Sequence, residues 1–105
     1  MQAEWAISTT SSSVNAVATK SAVADFQHVV LSIEGYVKAG GNASTLELKF
    51  GSTVVHTSLI TDNGRVSIHW PDGLTAAVNE AVELKTVRPG SGDVSCSLVG
   101  STIGG

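Results

Sequence analysis

A single cysteine, Cys96, stands in 105 residues, so no intrachain disulfide forms and no CxxC metal knuckle exists. Charge is scarce as well. Asp, Glu, Lys and Arg make up 14% of the chain, against roughly 25% in a typical globular domain. The six basic residues, Lys20, Lys38, Lys49, Arg65, Lys85 and Arg88, are scattered, and the formal net charge is −3. That balance excludes a nucleic-acid binder, which needs a basic stripe to displace counterions from phosphates. No apolar run exceeds three residues, as at Val29-Val30-Leu31, whereas a bilayer-spanning helix needs about 20. Met1-Gln2-Ala3-Glu4-Trp5 lacks the basic and apolar regions of a signal peptide. The expectation is a protein that meets no membrane and stays in a cytoplasm, or in a particle assembled there.

What is present is alternation. Ala3, Trp5 and Ile7 alternate with polar neighbours, as do Val14, Ala16 and Ala18. Val29, Leu31, Ile33 and Val37 form the longest stripe. Leu46, Leu48 and Phe50 follow, then Val55, Thr57 and Leu59, then Val66, Ile68 and Trp70. Val82, Leu84 and Thr86 precede the closing series Val94, Cys96 and Leu98. A period of two places the apolar set on one face of a pleated strand and leaves the other face wet. Residues 16–26 and 75–81 are ambiguous, each able to form a turn or two of helix, too short to change the class.

Turn chemistry separates the stripes. Gly40-Gly41-Asn42, Asp62-Asn63-Gly64, Pro71-Asp72-Gly73 and Pro89-Gly90-Ser91-Gly92-Asp93 carry residues that permit positive φ or preset a turn, and Gly51-Ser52 reads as a tight hairpin. The length suits one domain over residues 1–105. The fold expected is all-β: an antiparallel β-sandwich, jelly-roll-like, of about eight short strands.

No constellation for catalysis stands out. His28, His56 and His69 lack the short spacing of zinc ligands, so no metal or other cofactor is expected. Serines are many, but no GxSxG elbow exists. Cys96 falls in phase with Val94 and Leu98 and reads as a small core residue. Glu80 and Glu83 read as a solvated face, and the chain as no enzyme. The scarcity of surface charge suggests instead a surface covered by a partner or by further copies. Trp5 stands out there, because a terminal segment has few residues of its own chain to cover so large an apolar ring. Residues 1–8 form a possible docking strand, with Met1, Gln2, Trp5 and Ile7 as the candidate contacts.

The second half carries a pattern of its own. Leu46 to Val55 holds a strand, a Gly51-Ser52-Thr53 hairpin and a return strand. Gly64 to Trp70, Gly73-Leu74, Ala77-Val78-Asn79-Glu80-Ala81-Val82-Glu83-Leu84 and Val94 to Ile103 follow. With Ala24-Asp25-Phe26-Gln27-His28-Val29, this order resembles the small β-sandwich virion proteins of tailed bacteriophages, over roughly residues 20–103. The resemblance implies a capsid decoration, or cement, protein located on the virion and assembled in the host cytoplasm. Its implied partners are the major capsid protein and copies of itself, as a dimer or trimer. A tail or neck subunit and a carbohydrate-binding or adhesin-type module are the alternatives.

Overall fold

The computed structural model describes residues 2–38, 42–61 and 63–104. Eight strands form: β1 Gln2–Ser11, β2 Ala16–Lys20, β3 Phe26–Lys38, β4 Ser44–Phe50, β5 Thr53–Ile60, β6 Arg65–Thr75, β7 Val82–Thr86 and β8 Asp93–Gly104. They make two antiparallel four-stranded sheets, ordered β1-β8-β3-β6 and β2-β7-β4-β5. First pairs with last, second with seventh, third with sixth and fourth with fifth. That nesting is the jelly roll, the double Greek key anticipated from the spacing of turns.

Alternation explains why the layers adhere. Ala16 and Ala18, Leu46, Leu48 and Phe50, Val82 and Leu84, and Val94, Cys96 and Leu98 all turn inward and are buried. Each aliphatic side chain taken wholly out of water stabilises the sandwich by roughly 1.5–3 kcal/mol. Between the sheets Gly35 makes room for the opposite layer. A Cβ there would meet Leu46 Cδ1 at 2.8 Å and Ile60 Cδ1 at 2.9 Å.

Local departures correct the simple alternation. In β3 the buried residues are His28 and Val30, then Ile33, Gly35 and Val37. The expected stripe through Val29 and Leu31 fails because the register shifts between Val30 and Ser32, and one extra residue moves everything beyond it to the other face. Pro71-Asp72-Gly73 does not end a strand. β6 runs through it to Thr75, and residues 70–73 form an excursion between His69, opposite Ser32, and Leu74, opposite Val30. Gly73 takes φ +77°, and a Cβ on it would collide with a Val29 methyl. Pro71 is tolerated because β6 is an edge strand.

In β5 the expected phase is reversed. His56, Ser58 and Ile60 face the layer below, opposite the buried Leu48, Leu46 and Ser44 of β4, while Leu59 is 65% exposed. Register with β4 decides this, and Ile60 is the residue that fills the core. Val14 lies outside β2 and is exposed. Residues 21–25 and 76–81 are loops, with no helix in either. Gly51-Ser52 is the hairpin turn expected, with Gly51 at φ +61°. Gly40, Gly41 and Asp62, read as turn residues, lie outside the described residues.

The connections divide between two poles. One pole gathers residues 21–25, 51–52 and 76–81 with the start of β1 and the end of β8. The other gathers residues 12–15, 63–64 and 87–92.

Candidate functional site

Trp5 sits in β1 opposite Gly100, and β1 is paired with β8 along its whole length, from Gln2↔Ile103 to Ser11↔Val94. The backbone of the terminal segment is therefore paired on one side by its own sheet, with β1 left as an edge strand and the Trp5 side chain half-buried. The Trp5 ring packs where Gly100 has no side chain. A Cβ on Gly100 would lie 2.7 Å from Cη2 and 2.8 Å from Cζ2 of the indole.

The indole N–H donates to Thr102 Oγ1 at 3.0 Å. On the far side of that hydroxyl lies the buried His28, with Nδ1 at 2.7 Å from the same Oγ1 and Nε2 at 2.7 Å from the Ser21 carbonyl oxygen. A carbonyl only accepts, so Nε2 carries a proton. In the neutral ring Nδ1 is then an acceptor, and the Thr102 hydroxyl donates to it while accepting from Trp5. The two rings meet edge to face at 5.8 Å, and Lys20 Nζ lies 5.9 Å from the Trp5 ring centre. Trp5, Thr102, His28 and Ser21 thus form one satisfied chain that ties β1, β8, β3 and the loop after β2 together.

The other proposed contacts are distributed differently. Ile7 is half-buried and packs against the core, opposite Leu98. Gln2 contributes backbone pairing at the first pole. Met1 lies outside the described residues. Around the start of β1 that pole presents Val23, 39% exposed, and Val78, 46% exposed. Its loops are clamped. The Asp25 amide donates to Asn79 Oδ1 at 2.6 Å, the Asn79 amide to the Phe26 carbonyl at 3.1 Å, and the Ala77 amide to Glu80 Oε1 at 3.1 Å. Two valines held open on fixed loops were not legible in the sequence, where residues 76–78 resemble any short apolar run.

The outer face of the β1-β8-β3-β6 sheet carries paired hydroxyls. Ser8 and Ser97 meet at 3.0 Å, and Ser67 donates to Glu34 at 2.9 Å. Toward the second pole this face opens into a groove of about 490 Å³ lined by Thr10, Ser11, Ser12, Tyr36, Lys38, Asp93, Val94 and Ser95. Arg65 lies 5.1 Å from the Tyr36 ring centre and 3.8 Å from Glu34. Near the first pole a shallower hollow of about 400 Å³ is bordered by Ala6, Leu31 and Val99. On the opposite sheet Glu47 lies 3.6 Å from Lys49 and 3.8 Å from Lys85.

The groups with chemical potential are apart. His28 is buried in its network, His56 bonds Ser58 at 2.6 Å and meets Trp70 edge to face at 5.7 Å, and His69 is exposed on the outer face of β6. Among the described residues no three metal-binding side chains converge. Burial pushes the Cys96 thiol up to about 11, against opposing backbone hydrogen bonds at Ala18 and Thr86. Glu80 bonds its own loop, and Glu83 sits opposite both Thr19 and Lys49.

No protein-family model and no curated protein sequence matches the chain. Solved structures share its fold. A chain of the Bacillus endospore appendages, a family of disulfide-linked pili, superposes with a TM-score of 0.59 at 13% identity, over 99% of this chain and 87% of that one. A chain of the acid-stable capsid of Helicobacter pylori bacteriophage KHP30 does so with a TM-score of 0.57 at 12% identity, over 97% and 92%. The protein is a jelly-roll β-sandwich of a build also used in a phage capsid and in a spore appendage.

Proposed function

We propose that this chain is a capsid decoration protein of a tailed phage, which binds the outer lattice of the shell and braces it without catalysing any reaction. The observation that carries the reading is the fold held in common with a capsid chain of similar length, almost end to end in both. The order of motifs from Leu46 to Ile103 supports it independently. The surface suits the role too: low in charge, rich in hydroxyls, and bearing exposed valines where a partner would cover them. The partners in this reading are the major capsid protein and further copies of the same chain, on a virion assembled in the host cytoplasm.

The contact surface in this reading is the first pole. The start of β1 meets the shell beside Val23 and Val78. Trp5 and Ile7 act from behind, by holding β1 to β8 so that its beginning is presented in a fixed direction. Modest apolar contacts of this size become a firm grip when several copies engage a repeating lattice.

The test uses expanded shells assembled from the major capsid protein without this chain. Wild-type protein added to them sediments with the shells at a fixed ratio and raises their melting temperature. The Val23→Asp/Val78→Asp variant stays in the supernatant. Wild-type protein that does not bind overturns the proposal, and imaging that finds it at a neck or tail moves it to another structural position.

The groove around Tyr36, Lys38 and Asp93 favours a second reading, a carbohydrate-binding module. One aromatic ring beside paired charges and hydroxyls suits a sugar. Glycan binding lost in Tyr36→Ala, with no binding to shells, decides for it.

A further inference from the structure

We infer that β5 is a self-pairing edge, through which two copies join their β2-β7-β4-β5 sheets into one continuous sheet about a two-fold axis. The inference does not require the partner shell, because it concerns the isolated protein.

An edge strand exposes unpaired backbone N–H and C=O groups along one side, a template for another strand. Proteins blunt such edges with charge, proline, shortness or bulges. Three of the four edges here offer a partner strand less. β1 carries Glu4 and beyond it exposes only the short side chains of Ala6, Ser8 and Thr10; β2 is five residues long and ends in Lys20; β6 carries Arg65, Pro71, Asp72 and the excursion at residues 70–73. β5 differs. Its eight residues, Thr-Val-Val-His-Thr-Ser-Leu-Ile, contain no Asp, Glu, Lys, Arg, Pro or Gly. Its one irregularity is a bulge at Val55, which has no partner on β4 between His56, opposite Leu48, and Val54, opposite Lys49; from His56 to Ile60 the ladder is regular.

The side chains are arranged for a partner as well. Ile60 is buried, yet Leu59 is 65% exposed, Val54 47% and Val55 39%. This is the phase reversal seen in the fold: the apolar residues that alternation assigned to the core instead point outward beside a free edge. Among the described residues no strand lies beyond β5.

A second copy is the occupant these features fit. An antiparallel β5–β5 pair centred on Thr57 aligns the regular stretch from His56 to Ser58 of the two copies and brings Leu59 of each toward the exposed Val55 at the other's bulge, apolar on apolar. Because β5 is uncharged, no like charges oppose one another across the seam. One strand back, Glu47 stands opposite Thr57 and lies 3.6 Å from Lys49 and 3.8 Å from Lys85. A foreign strand would have to supply that neutrality and that apolar row by chance, whereas an identical strand supplies both by symmetry.

The experiment combines sedimentation equilibrium with a proximity probe. Wild-type protein sediments as a concentration-dependent dimer. Thr57→Lys sediments as a monomer with an unchanged far-UV spectrum, since the new ammonium group faces Glu47 in its own sheet, opposite Thr57. Thr57→Cys, under mild oxidation, gives a covalent dimer across the two-fold, where facing residues lie within disulfide reach. Thr19→Cys on the opposite edge does not. Cys96 is buried and contributes no background. A wild-type protein that stays monomeric at its solubility limit overturns the inference. So does a dimer that survives Thr57→Lys and is not trapped by Thr57→Cys.

Discussion

Thr102→Val tests whether the chain of bonds through Trp5 and His28 holds the first strand in place. Valine matches threonine in volume, so the change removes one hydroxyl and little packing. Two groups lose their partner at once: the Trp5 indole N–H, bonded at 3.0 Å, and His28 Nδ1, bonded at 2.7 Å. Leaving a buried polar group unsatisfied costs about 1–3 kcal/mol. His28 is buried and bears the full penalty, while Trp5 is half-buried and its N–H recovers part of its loss from water. The expected loss is about 2–3 kcal/mol, which for a domain of this size lowers Tm by roughly 10–15 °C. Trp5→Phe keeps the packing over Gly100 and loses only the N–H, so it costs about 1 kcal/mol. Trp5→Ala opens a partial cavity and costs about 3 kcal/mol. Urea denaturation followed by far-UV circular dichroism measures all three, and long-range nitrogen NMR of the imidazole reads the proton on Nε2. If Thr102→Val changes stability by less than about 0.5 kcal/mol, the hydroxyl bridges nothing of consequence. If Trp5→Ala leaves the free domain unchanged and weakens shell binding alone, the indole is a docking anchor after all.

Cys96 is expected to resist thiol reagents at pH 8 until the protein unfolds, as a labelling time course would show. Its raised thiol value also has a sign in stability. The contribution is complete below about pH 9, the ordinary thiol value, and is lost as pH rises toward about 11. Wild type therefore loses about 1.4 kcal/mol per pH unit over that window relative to Cys96→Ala, a difference that denaturation at several pH values measures. Gly35→Ala is expected to destabilise by about 1–3 kcal/mol, because its methyl meets Leu46 and Ile60 below van der Waals distance; an unchanged Tm would mean the layers separate freely there. For the reversed phase of β5, Ile60→Ala is expected to cost about 2–5 kcal/mol and Leu59→Ala under about 0.5 in the monomeric Thr57→Lys background. The opposite order in denaturant midpoints would restore the alternation read from sequence.

Local alternation was enough to place all eight strands and most of the buried rows, because in a half-buried strand the period of two is imposed by the pleat itself. It misled wherever the pleat is interrupted or the strand lies at an edge. Nothing in Val29-Val30-Leu31 marks which residue is extra, since the bulge depends on the paired strands β6 and β8. Pro71-Asp72-Gly73 has the composition of a turn, and only its position at an edge lets β6 pass through it. The site was less legible still. Trp5 could be singled out as a large ring near a terminus. Thr102, which receives its hydrogen bond, stands 97 positions away among serines and threonines with no distinguishing pattern. Hydrogen-bond partners at such separation follow from register, and register is a property of pairs of strands.

The place of β8 has a consequence for how the chain is made. The β1-β8-β3-β6 sheet places the last of the eight strands between the first and the third. On a ribosome, β1 and β3 emerge long before the strand that joins them, and each waits with a ladder unpaired. Sheet order of this kind makes folding a late event, governed by contacts distant in sequence. Synthesis can finish the other sheet with β7, but Trp5 stays without its hydrogen-bond acceptor until Thr102 has cleared the exit tunnel. A nascent jelly roll of this kind is therefore most exposed to chaperones and to other nascent chains in the interval before β8 emerges.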